Sequence, residues 1–275
     1  MVAADLATTL SGPEPFTVFA PTNAAFSALL TELGVTKEQL LADKPLLTSV
    51  LTQHVVPAKV LKAGIPLGKA ITTVQGNIFK IDAVGAAVVI RDGRNRTANI
   101  TTTDLMASNG VIHVVDKILL PAYKTTVAAV ATNPDFSIMM KAVTGAGLID
   151  TLNGTGPFTV FAPTKDAFAK LLTELEIGKE ALLADTALLT QVLTYHVVDS
   201  RVVKADVPVG PAIAPVQGGT LTASAGLVIT NQRARTSNMT VTDILASNGV
   251  IHVIDTGILP APSGWSGCRP LRRTV

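Results

Sequence analysis

The eight residues Ala107-Ser108-Asn109-Gly110-Val111-Ile112-His113-Val114 return letter for letter at Ala246-Ser247-Asn248-Gly249-Val250-Ile251-His252-Val253. A string of that length does not recur by accident in one chain. The molecule is a tandem repeat, and its function is to be argued for one unit and then doubled. A second string agrees: Phe16-Thr17-Val18-Phe19-Ala20-Pro21-Thr22 lies 142 residues ahead of its copy at Phe158 to Thr164. His54 and His196 keep that offset, whereas His113 and His252 are 139 apart. The second unit has therefore lost three residues between its histidines, in a hairpin loop matching Asp82 to Asp92. The expected division is a first unit at 1–121, a second at 122–262 and a tail at 263–275.

Hydrophobic residues make up 48% of the 275 positions and charged ones 15%, ample material for two packed cores. Formal net charge is +2, but Arg269, Arg272 and Arg273 all stand in the tail; setting those three aside leaves 19 basic against 20 acidic residues. The body thus offers no basic face, and nucleic acid is not an expected partner. The tail also holds the single cysteine, Cys268, and the single tryptophan, Trp265, and is expected to be disordered or foreign to the rest. Without a second cysteine, each unit must be held by its own apolar core. No run of about 18 apolar residues exists to span a bilayer.

Periodicity changes once within each unit. Thr22 is placed to cap a helix in which Phe26, Leu29, Leu30 and Leu33 form one apolar stripe. Thr36 to Gln39 has the spacing of a capping box, and Pro45 suits the first turn of a third helix ending at His54. From Ile71 onward the pattern is strand-like, with turns at Gly76-Asn77, Asp92-Gly93 and Asn109-Gly110. Helices first and antiparallel strands after define an α+β unit. The second unit has an additional opening segment, Thr125 to Leu152, where Phe136, Met139, Met140 and Val143 recur at helical spacing. Leu6 matches Leu148, so only five residues precede it, and the first unit is expected to lack this helix. The groove it leaves exposes apolar surface, open to self-association.

The four histidines are the obvious candidates for chemistry, and they form two equivalent pairs. His113 and His252 lie inside Val/Ile runs, where an imidazole is expected to donate to a backbone carbonyl and fix neighbouring loops. His54 and His196 end a helix, either contacting its last carbonyls or serving surface recognition. Two histidines per unit without clustered cysteines or carboxylates do not make a metal site, and no cofactor is expected. Ser108, His113 and Asp116 do not make a hydrolytic triad, because residues three apart on a strand face opposite sides. No catalytic constellation is seen, so an enzyme is not expected. Asp104 and Asp243, just before the octapeptide, are either turn aspartates or acidic tips offered to a partner. Four Asn-x-Thr patterns, at Asn95, Asn99, Asn153 and Asn238, match the glycosylation acceptor pattern.

These residues carry a resemblance. Phe-Thr-Val-Phe-Ala-Pro-Thr and Ala-Ser-Asn-Gly-Val-Ile-His-Val resemble the two conserved blocks of the fasciclin (FAS1) domain, each present twice and in order. Tyr195-His196 is similar to the family's tyrosine-histidine motif, with Gln53 standing before His54 in the first unit. The resemblance implies a β-sandwich or wedge with a helical layer, in secreted or surface-attached adhesion proteins, with the leader absent here. It also implies that Tyr195 and His196, with Asp243-Ile244, match motifs linked to partner binding in animal members; Asp104-Leu105 and His54 are the counterparts. Asn109, Gly110 and His113, with Asn248, Gly249 and His252, are then structural. The expected partner is a cell-surface or matrix protein or a polysaccharide, bound through weak multivalent contacts. Carriage of a small apolar ligand, lipid or carotenoid, is the alternative, with Met106, Met139 and Met140 as its support. Adding an opening helix ahead of Leu6 is expected to raise the first unit's melting temperature; an unchanged thermal melt would mean that its groove is already covered.

Overall fold

The computed structural model describes residues 6, 10–12, 15–85 and 87–261, and the tail read as disordered lies outside them. The chain divides into two compact units, the first reaching to Tyr123 and including Leu245–Ser247, the second starting at Lys124. The first runs β1 (Phe16–Pro21), α1 (Asn23–Leu33), α2 (Lys37–Ala42), α3 (Lys44–Gln53), β2 (Val55–Val56), β3 (Ala70–Thr72), β4 (Ile78–Val84), β5 (Ala87–Arg91), β6 (Thr97–Ala107) and β7 (Gly110–Val115). The second begins with α4 (Thr126–Ala131), α5 (Ser137–Gly145) and α6 (Ile149–Leu152). It then repeats the plan as β8 (Phe158–Pro163), α7 (Lys165–Leu175), α8 (Lys179–Ala184), α9 (Thr186–Tyr195), β9 (Val197–Val198), β10 (Ala212–Ile213), β11 (Leu221–Ala223), β12 (Val228–Thr230), β13 (Thr236–Ala246) and β14 (Gly249–Ile254).

Helix starts fall where the capping chemistry puts them. Thr22 and Thr164 accept from the backbone N–H of Ala25 and Ala167, satisfying a donor that the first turn leaves unpaired. The capping box at Thr36 is complete, since Gln39 Oε1 accepts from the Thr36 N–H while the Thr36 hydroxyl accepts from the Gln39 N–H. Pro45 sits in the first turn of α3.

Each unit builds one seven-stranded sheet, ordered β2-β1-β7-β6-β5-β4-β3 and β10-β11-β12-β13-β14-β8-β9. Not every neighbour is antiparallel. The first strand of each unit inserts beside the last and runs parallel to it, Phe16 opposite Gly110 and Phe158 opposite Gly249. Local periodicity reports a strand but not its partner, so this long-range pairing is invisible to it. The three missing residues of the second unit fall in the hairpin after β11: β4 and β5 have 7 and 5 residues, their counterparts 3 and 3.

The parallel pair explains the glycine of the repeated octapeptide. A Cβ on Gly110 would run into the Phe16 carbonyl, and one on Gly249 into that of Phe158. The close approach closes the hydrogen bonds Phe16 N–H to Asn109 O, 3.0 Å, and Phe158 N–H to Asn248 O, 2.8 Å. Backbone, not a flexible side chain, is the obstacle, so Gly249→Ala should destabilise the second unit by about 3 kcal/mol. Urea unfolding read at pH 7 checks this, and a loss below about 0.5 kcal/mol would remove the steric account.

Candidate recognition surface and its histidine supports

Each unit suspends its loops from two buried imidazoles. His54 caps the end of α3, where its Nδ1 lies 2.7 Å from the Val50 carbonyl and its Nε2 2.8 Å from the Leu119 N–H. A carbonyl can only accept, so Nδ1 carries the proton and Nε2 is the acceptor. His196 repeats this between Val192 O, 2.7 Å, and Ile258 N–H, 3.1 Å. Both rings are neutral struts from a helix end to the segment that follows the last strand of the unit. Burial pushes both down to about 4, against the smaller opposing pull of the carbonyl bond.

The other pair has the opposite tautomer. His113 donates from Nε2 to Val60 O at 2.9 Å and accepts at Nδ1 from the Asp104 N–H at 3.2 Å. Asp104 in turn accepts from the Lys62 N–H through Oδ1, 2.8 Å. In the second unit, His252 spans Val202 O and the Asp243 N–H, and Asp243 accepts from the Lys204 N–H. The two aspartates adopt φ +60°, a left-handed conformation that Asp tolerates better than a branched residue. In the first unit, the bend falls where the β6–β7 register shifts, between Thr102 and Leu105. One imidazole, one carboxylate and one loop thus define each bend.

The tyrosine-histidine motif is interior. Tyr195 and His196 are buried, as is His54. The Tyr195 hydroxyl donates to Thr220 O at 2.7 Å and accepts from the Gln232 N–H at 3.2 Å. Desolvation raises its pKa, partly offset by that N–H. Gln53 does the same work in the first unit: its Nε2 donates to Ile78 O and its Oε1 accepts from the Thr73 hydroxyl. Asp243 is buried and Ile244 partly so, whereas Asp104 is exposed, with Leu105 46% and Met106 61% exposed beside it. Of the residues matched to partner-binding motifs, Tyr195, His196, His54 and Asp243 are buried, and Asp104 is the polar one exposed to solvent.

Asn109 and Asn248 do more than turn the chain. Asn248 donates through Nδ2 to Leu152 O and Gly154 O, both 2.8 Å, and accepts through Oδ1 from the Thr126 N–H, 2.8 Å. Asn109 makes the matching donations to Leu10 O and Gly12 O. These clamps reach about a hundred residues back along the chain, which no local pattern in the sequence signals.

Two α+β units, each a single sheet with one parallel strand pair and a histidine-braced bend, define a tandem repeat-domain protein. The fasciclin domain family model matches residues 1–121 and 134–260, and the chain belongs to the fasciclin-domain family. Among curated proteins it is similar to transforming growth factor-beta-induced protein ig-h3 of Sus scrofa, 29% identical over 255 residues, covering 91% of this chain and 35% of that protein. It therefore spans about a third of that relative's length. Protein sll1483 of Synechocystis is 39% identical over 149 residues, 54% of this chain and 79% of its own. A solved FAS1 domain pair from the insect cell adhesion molecule fasciclin I aligns with a TM-score of 0.47 at 21% identity, covering 94% of this chain and 93% of that one. Among the described residues, no helix is long and apolar enough to cross a membrane.

Folding depends on pH through His54 and His196. Their folded pKa, about 4, lies below the unfolded 6.5, so between those values the unfolded state binds more protons and stability rises with pH. The contribution is whole above about 6.5 and is lost as pH falls toward 4. Between pH 7 and pH 5 each unit should lose about 2 kcal/mol from this source. Urea unfolding at the two pH values measures it; equal midpoints would show that the rings do not have to stay neutral.

Proposed function

We propose that the chain is an extracellular or surface-attached adhesion module that recognises a cell-surface protein, matrix protein or polysaccharide through weak contacts, its tandem units raising avidity. The observation that carries this reading is the Asp104 bend: an exposed carboxylate beside exposed Leu105 and Met106, held in a left-handed conformation by a buried histidine. A rigid, mixed polar and apolar projection suits partner recognition, because little entropy is lost on contact. The four imidazoles support recognition rather than proton transfer in this reading, since each has both ring nitrogens engaged with backbone groups. His54, Tyr195 and His196 act from the interior by fixing the loops, and Asp243-Ile244 keeps the equivalent place in the second unit. Membership of the fasciclin-domain family supports the same class of function. The carrier alternative finds little room in the second unit, where the gap beside Met139 and Met140 has a volume of about 10 Å³.

Asp104→Asn keeps the oxygen that accepts from Lys62 and tolerates the bend, while removing the charge. Tested against arrays of matrix proteins, glycans and cell surfaces, the full chain should be retained, and the variant should bind about tenfold more weakly with an unchanged melting temperature. Retention of neither protein anywhere, or equal retention of both, would overturn the proposal.

A further inference from the structure

One helix position of the repeat carries a long side chain in the second unit and a single methyl group in the first. Ala28 of α1 and Lys170 of α7 are 142 residues apart, the offset of the Phe-Thr-Val-Phe-Ala-Pro-Thr strands that precede them. Lys170 reaches from its helix to the residue after β14, where its Nζ donates to the Asp255 carbonyl at 3.0 Å. Ala28 ends at Cβ and cannot make that bridge. Here the first unit has a cavity of about 370 Å³, within the range of about 300–1,000 Å³ that small-molecule sites occupy. Ala25, Ala28, Leu29 and Ile118 give it an apolar lining, and Glu32 and Arg96, joined by a 2.7 Å ion pair, line it as well.

The lysine of this site has changed walls between the units. Lys117 lines the cavity where the second unit has Thr256, 139 residues further on. It is exposed, and among the described residues neither its ammonium nor the hydroxyl of Thr97, also in the lining, has a hydrogen bond or ion pair. The other charges are matched. Arg96 neutralises Glu32, and Asp92, 1% exposed and outside the lining, is met by Arg96 and by the N–H groups of Arg94, Arg96 and Leu120. Asp116 accepts from the N–H and Nδ2 of Asn99.

We propose that this cavity binds a short aliphatic carboxylate. Its chain takes the place of the Lys170 stem, and its carboxylate meets Lys117 Nζ, with the Thr97 hydroxyl as a second donor. The second unit spans the site with its own four-carbon chain ending in a cation, so a ligand chain of about four to six carbons matches it in length. Because the first unit sets its cation on the wall, the chain that fits there ends in an anion. A ligand ammonium would meet Lys117 with like charge. The charged head also separates this site from carriage of a wholly apolar ligand.

The probe is hexanoate, ionised at pH 7 and titrated into the full-length chain with its methyl groups followed by NMR. The expected result is saturable binding at one site per chain, with shifts at Ala25, Ala28, Leu29 and Ile118. Two substitutions give the first unit residues that the second already carries at the same places. Ala28→Lys refills the cavity and Lys117→Thr removes the anchor, and each should weaken hexanoate binding about tenfold or more. 1-Hexanol and hexylamine, which keep the chain and change the head, should bind more weakly by a similar factor. No saturation with hexanoate, equal binding of hexanol or hexylamine, or undiminished binding by either variant would overturn the proposal. None of these outcomes depends on the Asp104 bend, so failure here and failure of the adhesion reading are separately visible.

Discussion

The fold of each unit rests on buried imidazoles that tie distant stretches of its backbone together. Every histidine accepts one backbone N–H and donates to one backbone carbonyl, and a protonated ring would lose its acceptor. In an apolar interior an unpaired N–H costs about 1–3 kcal/mol, so the four rings are cross-links as much as core side chains. His54 and His196 join the end of a helix to the departing chain, and His113 and His252 join the last strand to the preceding loop and bend. The sheet edges and the bend conformation follow from where these cross-links land.

Around them, different side chains meet the same demand. Tyr195 and Gln53 both end a helix and both reach backbone of the neighbouring β-hairpin, although one is aromatic and the other an amide. Asp92 in the first unit accepts from the backbone N–H groups of Arg94 and Arg96, and Asn231 does so in the second for Arg233 and Arg235. Shape and one correctly placed acceptor are what the turn needs. The carboxylate adds an ion pair with Arg96 and accepts the Leu120 N–H, interactions that bind the turn to the end of the unit.

Much of this was legible along the chain. The octapeptide identified the repeat, threonine spacing located the helix starts, and valine-rich runs located the buried histidines and their bonds to carbonyls. The recognition site was harder to read. Tyr195 and His196 were candidates for partner binding because they match the family's tyrosine-histidine motif. Both are turned inward, since a helix end packed on a sheet buries that position whatever residue stands there. Asn109 and Asn248 looked like turn residues, while their clamping of distant carbonyls depends on which segment packs against the turn.

The sequence by itself determined that there are two units of α+β class and where their helices begin. These follow from local geometry and self-similarity, which a linear string records. Only the tertiary structure decided that β1 lies parallel to β7 and that Asp104 is exposed while Asp243 is buried. Burial and strand pairing are properties of segments far apart in sequence, so nearly identical strings acquire different surroundings in the two units.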